Sequence, residues 1–174
     1  MIASQKAIFL DRDGVINHDP GDYTRSLREF TVLPTVYATL KKLHDAGYLL
    51  VLITNQGGIA KSLYTHADVN EIHTHLKNQC EENGFALTDV YYSPHHPHFG
   101  ESLSRKPGSL MLERACAKHG IDPSKSWMIG DKTRDLEAGE GAGIKGLLLP
   151  VNADIADLLD TLLASPQEDH EGDK

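Results

Sequence analysis

The sequence predicts an α/β fold with a mostly parallel central sheet flanked by helices, and three features carry that prediction. Apolar runs of strand length recur at 6–10, 48–54, 87–93, 126–130 and 145–149. Segments with helical spacing of apolar residues separate them. The longest run, "YLLVLIT", is continuous rather than alternating, as a strand covered on both faces requires. A βαβα order of this kind closes into a parallel sheet, with ligands beyond the carboxyl ends of its strands.

Taken in order, "KAIFL" (6–10) is a short buried strand followed by an irregular stretch to Pro34. Helical spacing of Val36, Leu40 and Leu43 predicts a helix over 35–47, with Gly47 as its stop. After the strand at 48–54, Val69, Ile72 and Leu76 mark a helix over 65–84, opened by Thr65 and closed by Gly84. On this reading His66, His73 and His75 belong to an exposed helix. A third strand, 87–93, precedes a helix at 108–120 that follows Pro107. The fourth strand (126–130), a weak helix (134–143), the fifth strand (145–149) and a last helix (153–164) complete one domain over 1–164. The tail, 165–174, is polar and charged and is expected to be disordered.

Acids outnumber bases 25 to 17, for a formal charge of −8. That balance argues against a nonspecific grip on nucleic acid or an anionic membrane, but not against a phosphorylated substrate in a locally positive pocket. No apolar run approaches the roughly 18 residues that cross a bilayer, and no signal peptide is read at the N-terminus. Cys80 and Cys116 both fall in helical stretches. Reduced thiols in a cytoplasmic, monomeric protein are the expectation, with one disulfide as the alternative.

The chemistry is predicted to gather at strand ends. Asp11 and Asp13 follow the first strand, and Gly14 starts the turn that lets them share a site while facing different atoms. Two close carboxylates push one pKa upward unless a cation neutralises them, and a hard divalent ion such as Mg²⁺ would do so. "IGDKTRD" adds Asp131 and Asp135 after another strand. Any one of these acids is more simply a helix cap or a solvated side chain; four together favour a metal site. Thr54-Asn55, leading into "QGGIAK", offers a hydroxyl and backbone N–H groups for an anion. Lys106 adds a point charge and Arg105 a planar fork.

In that order, "FLDRDGVI", "LITN", "RKP" and "MIGDKTRD" resemble the four motifs of the haloacid dehalogenase (HAD) superfamily of phosphohydrolases. The resemblance implies a Rossmann-like HAD fold with Asp11 as nucleophile and Asp13 as general acid, then base. It implies Mg²⁺ held by Asp11, Asp131 and the backbone carbonyl of Asp13, and the transferring phosphoryl bound by Thr54, Asn55 and Lys106. "FLDRDGVIN", "ITNQGGIAK", "YYSPHHP" and "RKPGSLML" are most similar to the D-glycero-D-manno-heptose 1,7-bisphosphate 7-phosphatases, with the histidinol-phosphate phosphatases close by. Such a substrate, a small phosphorylated sugar, would occupy a second cation, Arg105 or Lys61, while Lys132 would orient Asp11 or contact substrate. No insertion is long enough for a large cap domain, so loops 17–33, 56–66 and 93–105 are expected to shape the pocket.

Many relatives carry a zinc ion in the loop before "RKP", bound by three cysteines and a histidine. Here the stretch reads "SPHHPHFGESLSRKP": Ser93 stands at the first cysteine position, and only His95 matches a ligand. A site built from His95, His96 and His98 would need adjacent imidazoles to converge, so no zinc is expected. A histidinol phosphatase would need an acidic contact for the substrate amine, and no spare acid is evident. A mutase would need a lid to exclude water. A polynucleotide phosphatase would need a basic groove.

Overall fold

Five strands, Lys6–Leu10 (β1), Tyr48–Asn55 (β2), Asp89–Ser93 (β3), Trp127–Gly130 (β4) and Lys145–Leu148 (β5), form one sheet in the order β3-β2-β1-β4-β5. Every pairing is parallel. The helices are Val36–Asp45 (α1), His66–Glu82 (α2), Leu110–His119 (α3), Thr133–Gly141 (α4) and Leu159–Leu163 (α5). These come from a computed structural model that describes residues 4–164 and 166. The chain steps outward from β1 to β3 and then crosses to β4 on the other side of β1. That reversal opens a crevice at the carboxyl ends of β1 and β4.

Strand side chains alternate between two buried layers. Ile8 and Leu10 of β1, with Leu50 and Leu52 of β2, pack with Leu40, Leu43, Leu76 and Leu162 from α1, α2 and α5. Ala7, Phe9, Val51 and Ile53 face the other way, onto Met111, Leu112, Ala115 and Ala138 of α3 and α4. Because both faces are covered at the centre of the sheet, β1, β2 and β4 are largely apolar and buried, and each buried aliphatic side chain contributes about 1.5–3 kcal/mol. Thr65 and Asp68 cap α2 reciprocally. Among the described residues, no helix is long and apolar enough to cross a membrane. Cys80 and Cys116 are free and pack in opposite layers, so the sheet separates them.

Most boundaries differ from the sequence reading by one or two residues, and three of the differences have a local description. The third strand begins at Asp89 rather than 87, because the Thr88 hydroxyl accepts the Leu50 N–H at 3.1 Å in place of a ladder bond. The helix after Pro107 begins at Leu110 rather than 108. The last helix is split: Ile155–Leu158 is a tight 3₁₀ turn capped by Asp154, and only Leu159–Leu163 is α-helical. The polar tail lies outside the described residues except for Pro166.

Candidate active site

β1 ends in the crevice. The Asp11 N–H donates to Ile129 O at 2.9 Å, carrying the β1–β4 ladder one residue past the strand. The chain then turns at Gly14, whose φ of +87° suits glycine. Space also demands glycine there: a Cβ would come within 2.7 Å of Asp131 Oδ2. The turn sends the two acids to different surroundings.

Asp11 faces a buried lysine. Lys106 Nζ donates to Asp11 Oδ1 at 2.8 Å and to Ile53 O at 2.7 Å, and it lies 2.7 Å from Asp135 Oδ1. Burial works against the ammonium, but Asp11 and Asp135 raise its pKa. Asp11 is the reverse case. Burial lifts its carboxyl, Lys106 pulls it down, and Asp135 and Asp13 push it up again, leaving it at about 7. Asn55 aligns the lysine: its amide donates to Lys106 O and accepts from Lys106 N, both at 3.0 Å. Asn55 lines the cavity, with its side chain engaged in holding the Lys106 backbone.

Asp13 is gripped by donors. Arg12 Nη2 contacts its two oxygens at 3.0 and 3.1 Å, Asn17 Nδ2 donates at 3.0 Å, and Gln56 Nε2 donates at 3.0 Å. Burial opposes the charge, but these donors outweigh it and hold Asp13 below the usual carboxylate range. Gln56 also donates to Thr54 Oγ1 at 2.9 Å, while its Oε1 accepts from Tyr64 OH at 2.8 Å. Thr54 is therefore tied to Asp13 through one amide.

A carboxylate cluster follows from the same turn. Asp11, Asp131 and Asp135 each offer an oxygen within 4.8 Å of the others, the single such group of His, Cys, Asp or Glu among the described residues. Ligands at about 2.1 Å from Mg²⁺ sit about 3–4 Å apart, so an all-oxygen set of this spread fits that ion. Asp131 Oδ2 and Asp135 Oδ1 are buried and lack an aligned hydrogen-bond donor, although each lies beside a lysine ammonium. The two ammoniums offset part of the charge of the three carboxylates, and a divalent ion would offset the rest.

Around these groups lies a cavity of about 100 Å³, lined by Asp11, Asp13, Asn55, Asp131 and Lys132 with Asp19, Asp22, Tyr23, Thr24, Gln56 and Arg134. Loop 17–33 thus walls the site. Lys132 Nζ is 2.9 Å from Asp131 Oδ2. Lys61 is not in the lining; its ammonium lies 5.3 Å over the Tyr23 ring. Arg105 donates to His95 O at 2.9 Å and borders an adjoining hollow of about 570 Å³ with Pro97, Ser102 and Leu103. In loop 93–105 the hydroxyls of Ser93, Ser104 and Ser102 form a chain with spacings of 3.0 and 2.9 Å. His96 Nδ1 accepts the His98 N–H. This donor set does not fit a zinc ion, since hydroxyls occupied with one another are poor zinc ligands.

Several functional residues lay outside the sequence reading. Gln56 sat in a stretch read for its glycines, and Arg12 between two acids received no role. Two expectations are corrected. Asp19 and Asp22 are acids facing the cavity, so a spare acid is present. His73 is 5 % exposed, not on an open helix face, and its ring touches Arg12. It shares the buried stripe of Val69, Leu76 and Cys80, and that four-then-three spacing was the available signal.

Comparison with known proteins gives the family. The HAD-hydrolase-like family profile matches residues 103–168. D-glycero-beta-D-manno-heptose-1,7-bisphosphate 7-phosphatase of Haemophilus ducreyi is 40 % identical over 151 residues, covering 83 % of this chain and 82 % of that one. The chain belongs to this family of HAD-type phosphatases. A second member, from Photorhabdus laumondii and named for the alpha anomer, is 37 % identical over 80 % of this chain and 79 % of its own. The D,D-heptose 1,7-bisphosphate phosphatase of B. bronchiseptica, solved with magnesium and phosphate, superposes with a TM-score of 0.77 at 32 % identity, over 83 % of this chain and 79 % of that one. A putative HAD-like phosphatase from Mesorhizobium loti gives 0.81 at 28 % identity, over 92 % and 85 %.

Proposed function

We propose that this protein is a Mg²⁺-dependent phosphatase that removes the C7 phosphate of D-glycero-D-manno-heptose 1,7-bisphosphate through an aspartyl-phosphate. The observation that carries the reading is the division between the two acids: Asp11 lies in the acid and Lys106 cluster, and Asp13 lies outside it among neutral and cationic donors. Asp11 attacks phosphorus and the ester P–O bond breaks. Its electron pair stays on the sugar oxygen, which takes a proton from Asp13; the donors around Asp13 favour its carboxylate in the free protein, so that proton is taken up with the substrate, whose negative charge raises the acid. Asp13 then removes a proton from water, which attacks the aspartyl-phosphate and frees inorganic phosphate and Asp11. Lys106 balances the charge of Asp11 and Asp135 and of the phosphoryl oxygens, with Asn55 keeping it aligned. Asp11, Asp131 and the Asp13 backbone carbonyl would hold Mg²⁺, with Asp135 beside them. The ion would supply charge neutralisation at the phosphoryl group. Thr54 would meet the phosphoryl, and Arg105, Lys132 and Lys61 would meet the rest of the substrate.

The names of the relatives favour the heptose substrate. Histidinol phosphate is the second reading, because Asp19 and Asp22 supply the acidic contact that its amine would need. Phosphate release from heptose bisphosphate, hexose phosphates and histidinol phosphate, with and without Mg²⁺, tests the assignment. The heptose ester is expected to turn over fastest, and only with the metal. Asp11→Asn should abolish turnover; an active variant would mean that the nucleophile is misassigned.

A further inference from the structure

Among the described residues, Arg12 is the largest fully buried side chain. A buried guanidinium is costly unless its donors are met, and its direction matters because all five point along a rigid plane. Nη2 serves Asp13 and Gln56. Nη1 has one polar contact, His73 Nε2 on α2, 61 residues away, at 3.4 Å. Nε has no partner at all. Arg12 always donates, so His73 must accept at Nε2 and carry its proton on Nδ1. Burial, with the charge of Arg12 added, pushes the imidazole down to about 3 and keeps it in that neutral form. The His73 ring packs edge-on against Tyr92 at 5.7 Å, which fixes its plane.

We propose that His73 is a positioning residue for the phosphatase reaction, anchoring the far end of the Arg12 guanidinium so that Nη2 holds Asp13 where it meets the leaving oxygen. The inference rests on the assignment of Asp13 as general acid and base under Proposed function. Without His73, Nη1 has no acceptor, and Nη2 with the Phe30 ring at 6.0 Å is left to orient the guanidinium. The two Arg12 contacts among the four donor contacts of Asp13 are then less firmly aimed.

The test exploits the leaving group. A sugar oxygen must be protonated as it departs, whereas 4-nitrophenolate leaves with little help. In His73→Leu, the single-turnover rate of phosphoryl transfer, read as release of the sugar or the nitrophenol before the water step that all substrates share, should fall about tenfold or more on the heptose bisphosphate, a part of what general acid catalysis supplies. On 4-nitrophenyl phosphate that rate should fall less than about threefold, with KM changed less than about twofold on both. His73→Gln, which restores an acceptor oxygen, should recover most of the lost rate. Equal losses on both substrates, no loss in His73→Leu, or a Gln variant no better than Leu would each overturn the proposal. Asp13→Asn run alongside separates the two levels. If it shows no selective loss on the sugar ester, the general-acid reading fails and the role of His73 with it. If it does while His73→Leu does not, only the His73 proposal fails.

Discussion

Replacing Lys106 by methionine removes the one ammonium that sits between Asp11 and Asp135. The side chain is 1 % exposed and touches three acceptors within 2.8 Å: Asp11 Oδ1, Ile53 O and Asp135 Oδ1. Methionine fills nearly the same volume, so the loss is electrostatic. Removing one partner of a buried ion pair costs about 3–5 kcal/mol, because the remaining charge stays buried without compensation. At about 2–4 °C per kcal/mol for a domain of this size, the melting temperature should drop by about 6–20 °C at pH 8. The acids have an escape: they can take up protons. Asp11 already stands at about 7 with the lysine present, and rises further without it. A carboxyl whose folded pKa is raised leaves stability intact below its unfolded value and loses it as pH climbs through the folded one. The penalty should therefore be small at pH 4 and full at pH 8. Thermal melts of wild type and Lys106→Met, metal-free, across that range give the answer. An unchanged melting temperature at pH 8, or a larger penalty at pH 4, would refute the pairing.

Gly14→Ala should lower Mg²⁺ affinity and turnover about tenfold or more, since left-handed backbone costs about 1–2 kcal/mol and the methyl displaces Asp131; a metal titration followed by calorimetry reads it. Asn55→Ala removes both bonds to the Lys106 backbone and should cost about 2 kcal/mol in urea unfolding with an unchanged m-value, together with a fall in kcat. Asp89 lies well below the ordinary carboxylate range, because hydrogen bonds from Lys118 and His119 outweigh the upward push of burial. Its contribution is present above the unfolded pKa and lost as pH falls through the folded one, so the stability gap between wild type and Asp89→Asn should close below pH 4 in acid-denaturation curves.

Legibility in the sequence followed the range of the interaction. The two-sided burial of 48–54 and the capped stripe of 65–84 are local patterns, and the strand-end acids are local too. Strand 87–93 was read two residues long because Leu87 is buried like a strand residue, while Thr88 replaces a ladder acceptor with its hydroxyl. Gln56 and Arg12 were in view but mute, since their work is done on Asp13 across a turn. The His73 stripe was legible, but not that its end would be an arginine 61 residues away.

Alone, the sequence determined the α/β class and the four strand-end segments, and marked Asp11 and Asp13 as a close pair of acids, because periodicity and residue type are properties of neighbours along the chain. Only the tertiary structure decided how those groups divide. It set Asp11 against Lys106 and Asp135, turned Asp13 toward Arg12, Asn17 and Gln56, and engaged the Asn55 amide in aligning a lysine. The reason is that burial and charge are set by whichever atoms converge at the crevice between β1 and β4. Those atoms come from segments as far apart as residues 11 and 135.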